Sequence, residues 1–516
     1  MLRRPTPGAE FRRRLRSAAG GWACLGALAV GVAISGCRFE PPLRRPSVPS
    51  AADYTAAPVP HRVDAGPGGV AQHLVYGGTP PDRWWQLYRS PRLDALVRRA
   101  LRHSPTIDAA RSQLRAARAT LQAVGASFYP QVSANLGASR AKSSGASFGG
   151  RVPGSTFSLF TGDLAVSYYP DFFGINHLVY RGSQAQMNAQ RYALAAARWA
   201  LSGNVVDAAI GEAGTRAQID ALHGVIVAER RWVRLTEAQY RGGGTSLSSV
   251  LAQRAQLAAS EAELPPLEQQ FAVDRHVLAV LLGDAPSRGS GAPFTLGELA
   301  LPRRIPIALP SALLRQRPDV RIAEEQMRYA LAGIGIAKAQ FYPLVTITGT
   351  AGASALDAGR LLDASSGVWS LGAALAQPIF AGGRLRAQKR AADAAYDSAR
   401  AVYRSTVLGA FGQVADALRA LEHDGAAARA QQRLEVALRT QWRLAQAGYR
   451  AGATDYGATL AAEVAYRNAR VTSARIAAAR LQDTAALLVA LGGDWPSDPA
   501  SGHPASGVAG GAGPRS

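Results

Sequence analysis

Cys37 carries the most defined chemistry in this sequence. It follows Ile34-Ser35-Gly36 at the end of an apolar run that begins at Gly21, and six arginines lie between Arg3 and Arg16 ahead of that run. A basic stretch, a short apolar stretch and small residues before a cut site make a secretory signal. A cysteine directly after the small residues has the pattern of a bacterial lipobox: the thiol takes a diacylglycerol, and the amine freed by cleavage takes an acyl chain. The plainer alternative is cleavage near Gly36 that leaves Cys37 as a spare thiol. The other cysteine, Cys24, lies inside the signal, so the processed chain has no partner for an internal disulfide.

Other reactive constellations are weak. Gly145-Ala146-Ser147-Phe148-Gly149 fits the Gly-x-Ser-x-Gly pattern, but a nucleophile elbow needs a strand before it and a helix after it. Here the motif falls in a Gly/Ser loop between two expected strands. No Gly-Lys pair exists, which removes a phosphate-binding loop, and the eight histidines are scattered without metal-ligand spacing. The expectation is a protein that is not an enzyme and holds no metal or cofactor beyond the lipid on Cys37. The net charge of +22 invites a nucleic-acid reading, but Lys142, Lys338 and Lys389 are the only lysines and the arginines are spread along the chain rather than gathered in a patch. An exported chain meets no DNA, so no nucleic-acid partner is expected.

The elements that would position any function occur twice. QLRAARATLQAVGASFYPQVSANLGAS around Phe128 is answered by QMRYALAGIGIAKAQFYPLVTITGTAGAS around Phe341, a shift of 213. QYRGGGTS (Gln239 to Ser246) is answered by GYRAGATD (Gly448 to Asp455) at a shift of 209, and each copy closes on Leu-Gly, at Leu282-Gly283 and Leu491-Gly492. Around the copies the sequence divides into a signal (1–36), a Pro/Ala/Gly-rich tether from the lipid (37–81), a first repeat (82–283), a linker (284–310), a second repeat (311–493) and a Gly/Pro/Ser tail (494–516) expected to be disordered.

Within each copy the hydrophobic period switches from 3.6 to 2. Amphipathic helices are expected over Trp84 to Arg102 and from Pro105 to Phe128, with Pro318 opening the matching helix of the second copy. Then Val132, Ala134, Leu136 and Ala138 alternate with Gln131, Ser133, Asn135 and Ser139; Leu164, Val166 and Tyr168 share a face; Val345, Ile347 and Ala351 alternate with three threonines; and Trp369, Leu371, Ala373 and Leu375 share a face. Strands are therefore expected at Gln131–Arg140, Asp163–Tyr169, Leu344–Ala353 and Trp369–Gln377. Such runs suit tilted membrane strands with apolar side chains toward lipid and small polar ones toward a lumen. Four strands leave two open edges and are too few for a barrel, so the strands must be pooled between chains.

No proline interrupts Ile175 to Tyr240 or Gly383 to Tyr449, and each stretch would reach roughly 100 Å as one helix at about 1.5 Å per residue. Glycine turns follow, then returning helices over Leu247 to Leu282 and Tyr456 to Leu491, so each copy reads as a long antiparallel hairpin.

The stretches WWQLYRSPRLDALVRRAL, QYRGGGTSLSSVLAQRAQL, LPSALLRQRPDVRIAEEQMRYALAGIGIAKAQFYP and QPIFAGGRLRAQ, in their order and spacing, resemble the TolC-type outer-membrane factors, and among them the NodT-like lipoproteins of efflux systems. The resemblance runs from about Trp84 to Gly493. It implies a mixed α and transmembrane-β fold: a homotrimer with a twelve-stranded β-barrel in the cell outer membrane, continued by a twelve-helix α-barrel in the periplasm. It also implies a passive exit duct that docks a periplasmic adaptor and an inner-membrane pump of the resistance-nodulation-division type.

One departure concerns the tip, where relatives ring the closed constriction with acidic residues. The matching positions here are Ser249, Ala458 and Ala461. Asp455, Tyr456 and Leu460 are therefore the expected gate, with an apolar constriction. Tyr240, Arg241 and Gly243, with Tyr449, Arg450 and Gly452, are the expected tip turns and adaptor contact. A lipid-anchored coiled-coil scaffold without a pore is the alternative from a different class. The exported compound is not encoded in any pocket-forming motif.

Overall fold

The computed structural model describes residues 42–43, 46, 53–64, 70–144, 154–289 and 291–493. The signal, Cys37, the Gly145–Gly149 motif and the tail 494–516 lie outside the described residues. The chain forms two compact units. Over the described residues, the first comprises those of 115–188 and 324–402, and the second those of 53–114, 189–323 and 403–493.

Among the described residues the strands are β1 (Arg62–Val63), β2 (Gln72–Tyr76), β3 (Gln131–Ser143), β4 (Ser155–Tyr168), β5 (Arg304–Ile307), β6 (Leu344–Ala355) and β7 (Gly367–Ala376). The helices are α1 (Pro91–His103), α2 (Pro105–Gly125), α3 (Ile175–Arg241), α4 (Leu247–Ala262), α5 (Leu264–Leu281), α6 (Pro310–Gln316), α7 (Pro318–Ala339), α8 (Arg384–Arg450) and α9 (Tyr456–Ala490). The duplication is visible in the backbone. α3 and α8 are both 67 residues long and begin and end 209 residues apart. The left-handed glycines that frame each hairpin also pair at that shift: Gly174 with Gly383, Gly243 with Gly452, and Gly283 with Gly492.

The first unit holds a four-stranded antiparallel sheet in the order β3-β4-β6-β7. Its strands extend past the expected ends, with β4 starting at Ser155 and β3 running to Ser143, because the pairing Ser143↔Ser155 carries both strands into the Gly/Ser loop. The second unit contains a sheet that hydrophobic periodicity did not signal. β2 runs parallel to β5 and antiparallel to β1, so the expected tether is folded against the linker between the repeats over these residues.

Three expected helices are divided. Trp84–Tyr88 forms a short 3-10 turn and α1 starts separately at Pro91, capped by the Ser90 hydroxyl, which accepts from the Leu93 N–H. Arg89 between them is left-handed, with φ 51°. α2 stops at Gly125 and a 3-10 turn carries the chain to Phe128. The returning helix of the first repeat is broken at Glu263, where Pro265 and Pro266 in the first turn of α5 have no N–H to bond back into α4. The second repeat has alanines and arginines at the corresponding stretch, and α9 runs unbroken.

The core of the second unit follows the helical period. Val205, Val206, Ala209, Ile210 and Ala213 are inaccessible on α3, and further along Leu222, Val225, Ile226 and Ala228 pack with Val464 of α9. Trp232, Leu257, Leu264, Leu267 and Val471 close this cluster from α3, α4, α5 and α9. Alanine at the contact positions permits close approach of the helix axes, the geometry of interdigitated helix ridges.

Candidate functional site

The strand register sorts the side chains onto two faces. Val132, Ala134 and Leu136 lie opposite Val166, Leu164 and Gly162; these in turn face Gly349, Ala351 and Ala353, which pair with Leu371, Trp369 and Gly367. One face of the sheet is thus aliphatic and aromatic, and much of it is exposed, with Leu136 at 88% and Trp369 at 80%. The other face carries Ser133, Asn135, Asp163, Thr161, Thr348, Thr350 and Ser370. Hydrogen bonds cross between its strands, from the Asn135 amide to Asp163 at 3.0 Å and between Thr350 and Ser370 at 2.7 Å. An exposed apolar face opposite a hydrogen-bonded polar one is the pattern of a strand pair between lipid and water. Neither β3 nor β7 has a second strand partner among the described residues, so both edges of the sheet are open.

The two hairpin turns share one construction. At the end of α3, Gly243 donates to the Tyr240 carbonyl at 3.0 Å and Gly244 to the Gln239 carbonyl at 2.8 Å; at the end of α8, Gly452 donates to Tyr449 at 3.1 Å and Ala453 to Gly448 at 2.8 Å. This bonding closes a helix on a left-handed residue, and Gly243 and Gly452 take it with φ of 75° and 72°. A Cβ at either glycine meets nothing within 4 Å, so the demand for glycine is one of backbone conformation and not of space. The returning helices are capped at equivalent positions. Ser246 accepts from the Ser249 N–H at 3.3 Å and Asp455 from the Ala458 N–H at 2.7 Å.

The tip residues named from sequence have different surroundings. Tyr240, Arg241, Tyr449 and Arg450 are exposed, and the Tyr449 ring lies 5.2 Å from that of Tyr456 at a 42° tilt. Asp455 is engaged as the helix cap. Leu460 is only 1% exposed, packed within its own chain. The hydroxyls of Thr454 and Thr459 both donate to the Ala445 carbonyl at 3.2 Å, tying the start of α9 to the end of α8.

Sequence reasoning missed a buried carboxylate near this end of α9. Glu463 is 5% exposed and accepts from Arg467 Nε at 2.7 Å on its own helix and from Arg231 Nη2 at 2.8 Å on α3. The Glu463–Arg467 spacing of four was visible in the sequence. The third member belongs to the other repeat, and nothing local marks it. Among the described residues no group of three or more His, Cys, Asp or Glu side chains is disposed to hold a metal, and no helix is long and apolar enough to cross a membrane.

A sheet with one lipid-compatible face and two open edges, joined to duplicated helical hairpins, defines a membrane channel component. The chain belongs to the outer membrane efflux protein family, whose model matches residues 96–284 and 309–493. It is 30% identical over 423 residues to the pyoverdine export outer membrane protein OpmQ of Pseudomonas putida, covering 81% of this chain and 89% of that one. It is 27% identical over 414 residues to SilC of Salmonella typhimurium, a probable outer membrane lipoprotein, covering 80% and 88%. Among solved structures it matches the outer-membrane channel OprN with a TM-score of 0.78 at 26% identity, over 89% of this chain and all of that one. The chain is an outer-membrane efflux component.

Proposed function

We propose that this protein is the passive exit duct of a tripartite efflux system, carrying compounds from an inner-membrane pump and its periplasmic adaptor across the outer membrane. Three copies supply twelve strands and twelve hairpin helices, forming a β-barrel continued by an α-barrel. The observation that carries this reading is the four-stranded sheet with a polar and an apolar face and both edges open. Closing it on itself would fall short of the roughly eight strands of the smallest barrels, whereas three copies close with an aqueous bore. The domain division follows: a signal to residue 36, a lipid-bearing segment from Cys37, two repeats over 82–283 and 311–493 joined by 284–310, and the tail 494–516. Diacylglycerol and an acyl chain on Cys37 anchor the chain to the membrane that the strands cross, and SilC supports this by its name.

The tip turns Tyr240, Arg241, Gly243, Tyr449, Arg450 and Gly452 are the adaptor contact, and Asp455, Tyr456 and Leu460 shape the gate. Tyr456 narrows the opening through its ring. Leu460 acts by packing α9, and Asp455 by fixing where α9 begins. No catalytic group or cofactor enters this account, because the pump supplies the energy and the choice of cargo. Single-channel recording in planar bilayers tests the proposal: discrete conductance steps from the purified protein are expected. Silent bilayers, with the protein inserted, would leave a lipid-anchored scaffold in its place.

A further inference from the structure

The two strand-to-helix elbows of the first unit differ in what they expose. Between β4 and α3 the chain reads Tyr169-Pro170-Asp171-Phe172-Phe173-Gly174, and between β7 and α8 it reads Gln377-Pro378-Ile379-Phe380-Ala381-Gly382-Gly383. In the first elbow the Asp171 carboxylate accepts from the N–H groups of Asn176 at 3.0 Å and His177 at 2.9 Å, satisfying free donors in the first turn of α3. Aligned on the two prolines, Ile379 stands where Asp171 does and Phe380 where Phe172 does. Ile379 and Phe380 are each 90% exposed. The Gln377 amide donates to the Phe341 carbonyl at 2.9 Å, so this elbow is tied to the start of β6 while its two large apolar side chains touch little of their own chain.

The first elbow has a seat inside the chain. β4 pairs antiparallel with β6, which brings the elbow after β4 beside the Phe341-Tyr342-Pro343 segment before β6, and the Phe173 ring stacks there on Tyr342 with centroids 5.2 Å apart and planes at 25°. The matching Phe128-Tyr129-Pro130 segment precedes β3, and Tyr129 is 70% exposed. Because every neighbouring pair of strands is antiparallel, the second elbow and Tyr129 lie at the same end of the sheet, on its two open edges. Within one chain they are kept apart by the width of the sheet, roughly 14 Å at about 4.8 Å per strand.

We propose that Ile379 and Phe380 dock on Tyr129 of a second copy of this chain, repeating between copies the contact that Phe173 makes with Tyr342 inside one. The inference rests on the three-copy closure of the sheet, in which β7 of one copy lies antiparallel to β3 of the next and the elbow arrives beside that copy's tyrosine. The apolar surface leaves water on docking, and paired rings add a preference of orientation. A carboxylate at the Asp171 position would be buried against the tyrosine ring without a partner, which accounts for isoleucine there in the second elbow. Each copy gives its elbow to one neighbour and its Tyr129 to the other, so the contact is satisfied throughout only in a closed ring.

Cysteine pairs test this in the full-length protein in outer membranes, treated with a short bis-maleimide and separated on denaturing gels. Tyr129→Cys combined with Phe380→Cys is expected to give cross-linked dimers and trimers, and either variant alone is not. The parent chain sets the thiol background. Tyr129→Cys with Leu362→Cys controls for random collision, because Leu362 is 97% exposed in the β6–β7 connection at the opposite end of the sheet. Phe380→Ser and Tyr129→Ser should each weaken trimer association by roughly two- to tenfold per contact. The double serine variant should add little to either, since both remove one contact. Both positions are exposed in the chain, so its own packing is spared. Cross-linking no greater than in the Leu362 control, or undiminished association in both serine variants, in a protein that sediments as a trimer would overturn the docking and leave the three-copy closure standing. Quenching of Phe380→Trp fluorescence by brominated lipid, with no cross-link, would overturn it by placing the elbow in the bilayer interface. A monomer with its sheet formed would overturn the closure and the docking together.

Discussion

Replacing Glu463 with glutamine should loosen the hairpin of the second repeat from that of the first. The carboxylate is buried, and the two hydrogen bonds it accepts, from Arg231 at 2.8 Å and from Arg467 Nε at 2.7 Å, are both charge-assisted, with Arg467 Nη2 also in ion-pair contact at 2.6 Å. Removing one partner of a fully buried ion pair costs about 3–5 kcal/mol, most of it from the charge left behind. Here the arginine side chains keep 34% and 30% of their exposure, so both can turn toward water. Glutamine also retains one acceptor oxygen, and the expected loss falls to about 1.5–3 kcal/mol, the range for a hydrogen bond to a charged group. The coupling is read from a double-mutant cycle of Glu463→Gln and Arg231→Gln on thermal unfolding, with hydrogen exchange of residues 456–470 as a local probe. A coupling of about 1 kcal/mol or more is expected, with faster exchange in the single variants. Additive effects within about 0.3 kcal/mol would refute the idea that Glu463 joins the repeats.

Gly243→Val and Gly452→Val should each cost roughly 1–2 kcal/mol locally from the left-handed backbone. Both should abolish export in a drug-susceptibility assay while sparing assembly, and normal export by both would remove the turns from the docking surface. For Asp424, the folded-state pKa of about 7 lies above the ordinary value of 3.8, because its carboxyl is buried and faces Asp483, with Arg480 opposing. The folded chain therefore holds this proton more tightly than the unfolded chain, and the associated stability is present below about pH 4 and lost as pH rises through about 7. Asp424→Asn should flatten this component and raise the melting temperature at pH 8 relative to the parent; identical pH profiles would exclude it. Cys37→Ala should block lipidation and processing, and mass spectrometry that finds an unacylated mature N-terminus in the parent chain would refute the lipobox reading.

The parts of this fold that repeat or alternate were legible because their signal is local. A period-2 run such as Val132 to Ala138 specifies a strand and its two faces without knowledge of its partner, and the proline-free stretches bounded by Gly174 and Gly243 specify a helix and its ends. What escaped depends on residues brought together from far apart. β2 pairs with β5 across more than 200 positions, and a five-residue strand in a Pro/Gly-rich segment carries too little periodicity to announce it. The proline pair that divides α4 from α5 was visible, yet the symmetry with α9 argued for an unbroken helix. Local backbone chemistry overrode the duplication there.

The same distinction governs the site. The tip glycines were readable because the left-handed backbone selects glycine wherever it occurs. Glu463 and Arg480 were not, because a carboxylate or guanidinium on an alanine-rich helix is a solvated surface group unless another element covers it. Arg231 makes Glu463 an inter-repeat contact, and Val70 and Gln72 bury Arg480, each from a distant part of the chain. Burial of charge, the property that makes both residues informative, is created by tertiary packing and has no counterpart in sequence spacing.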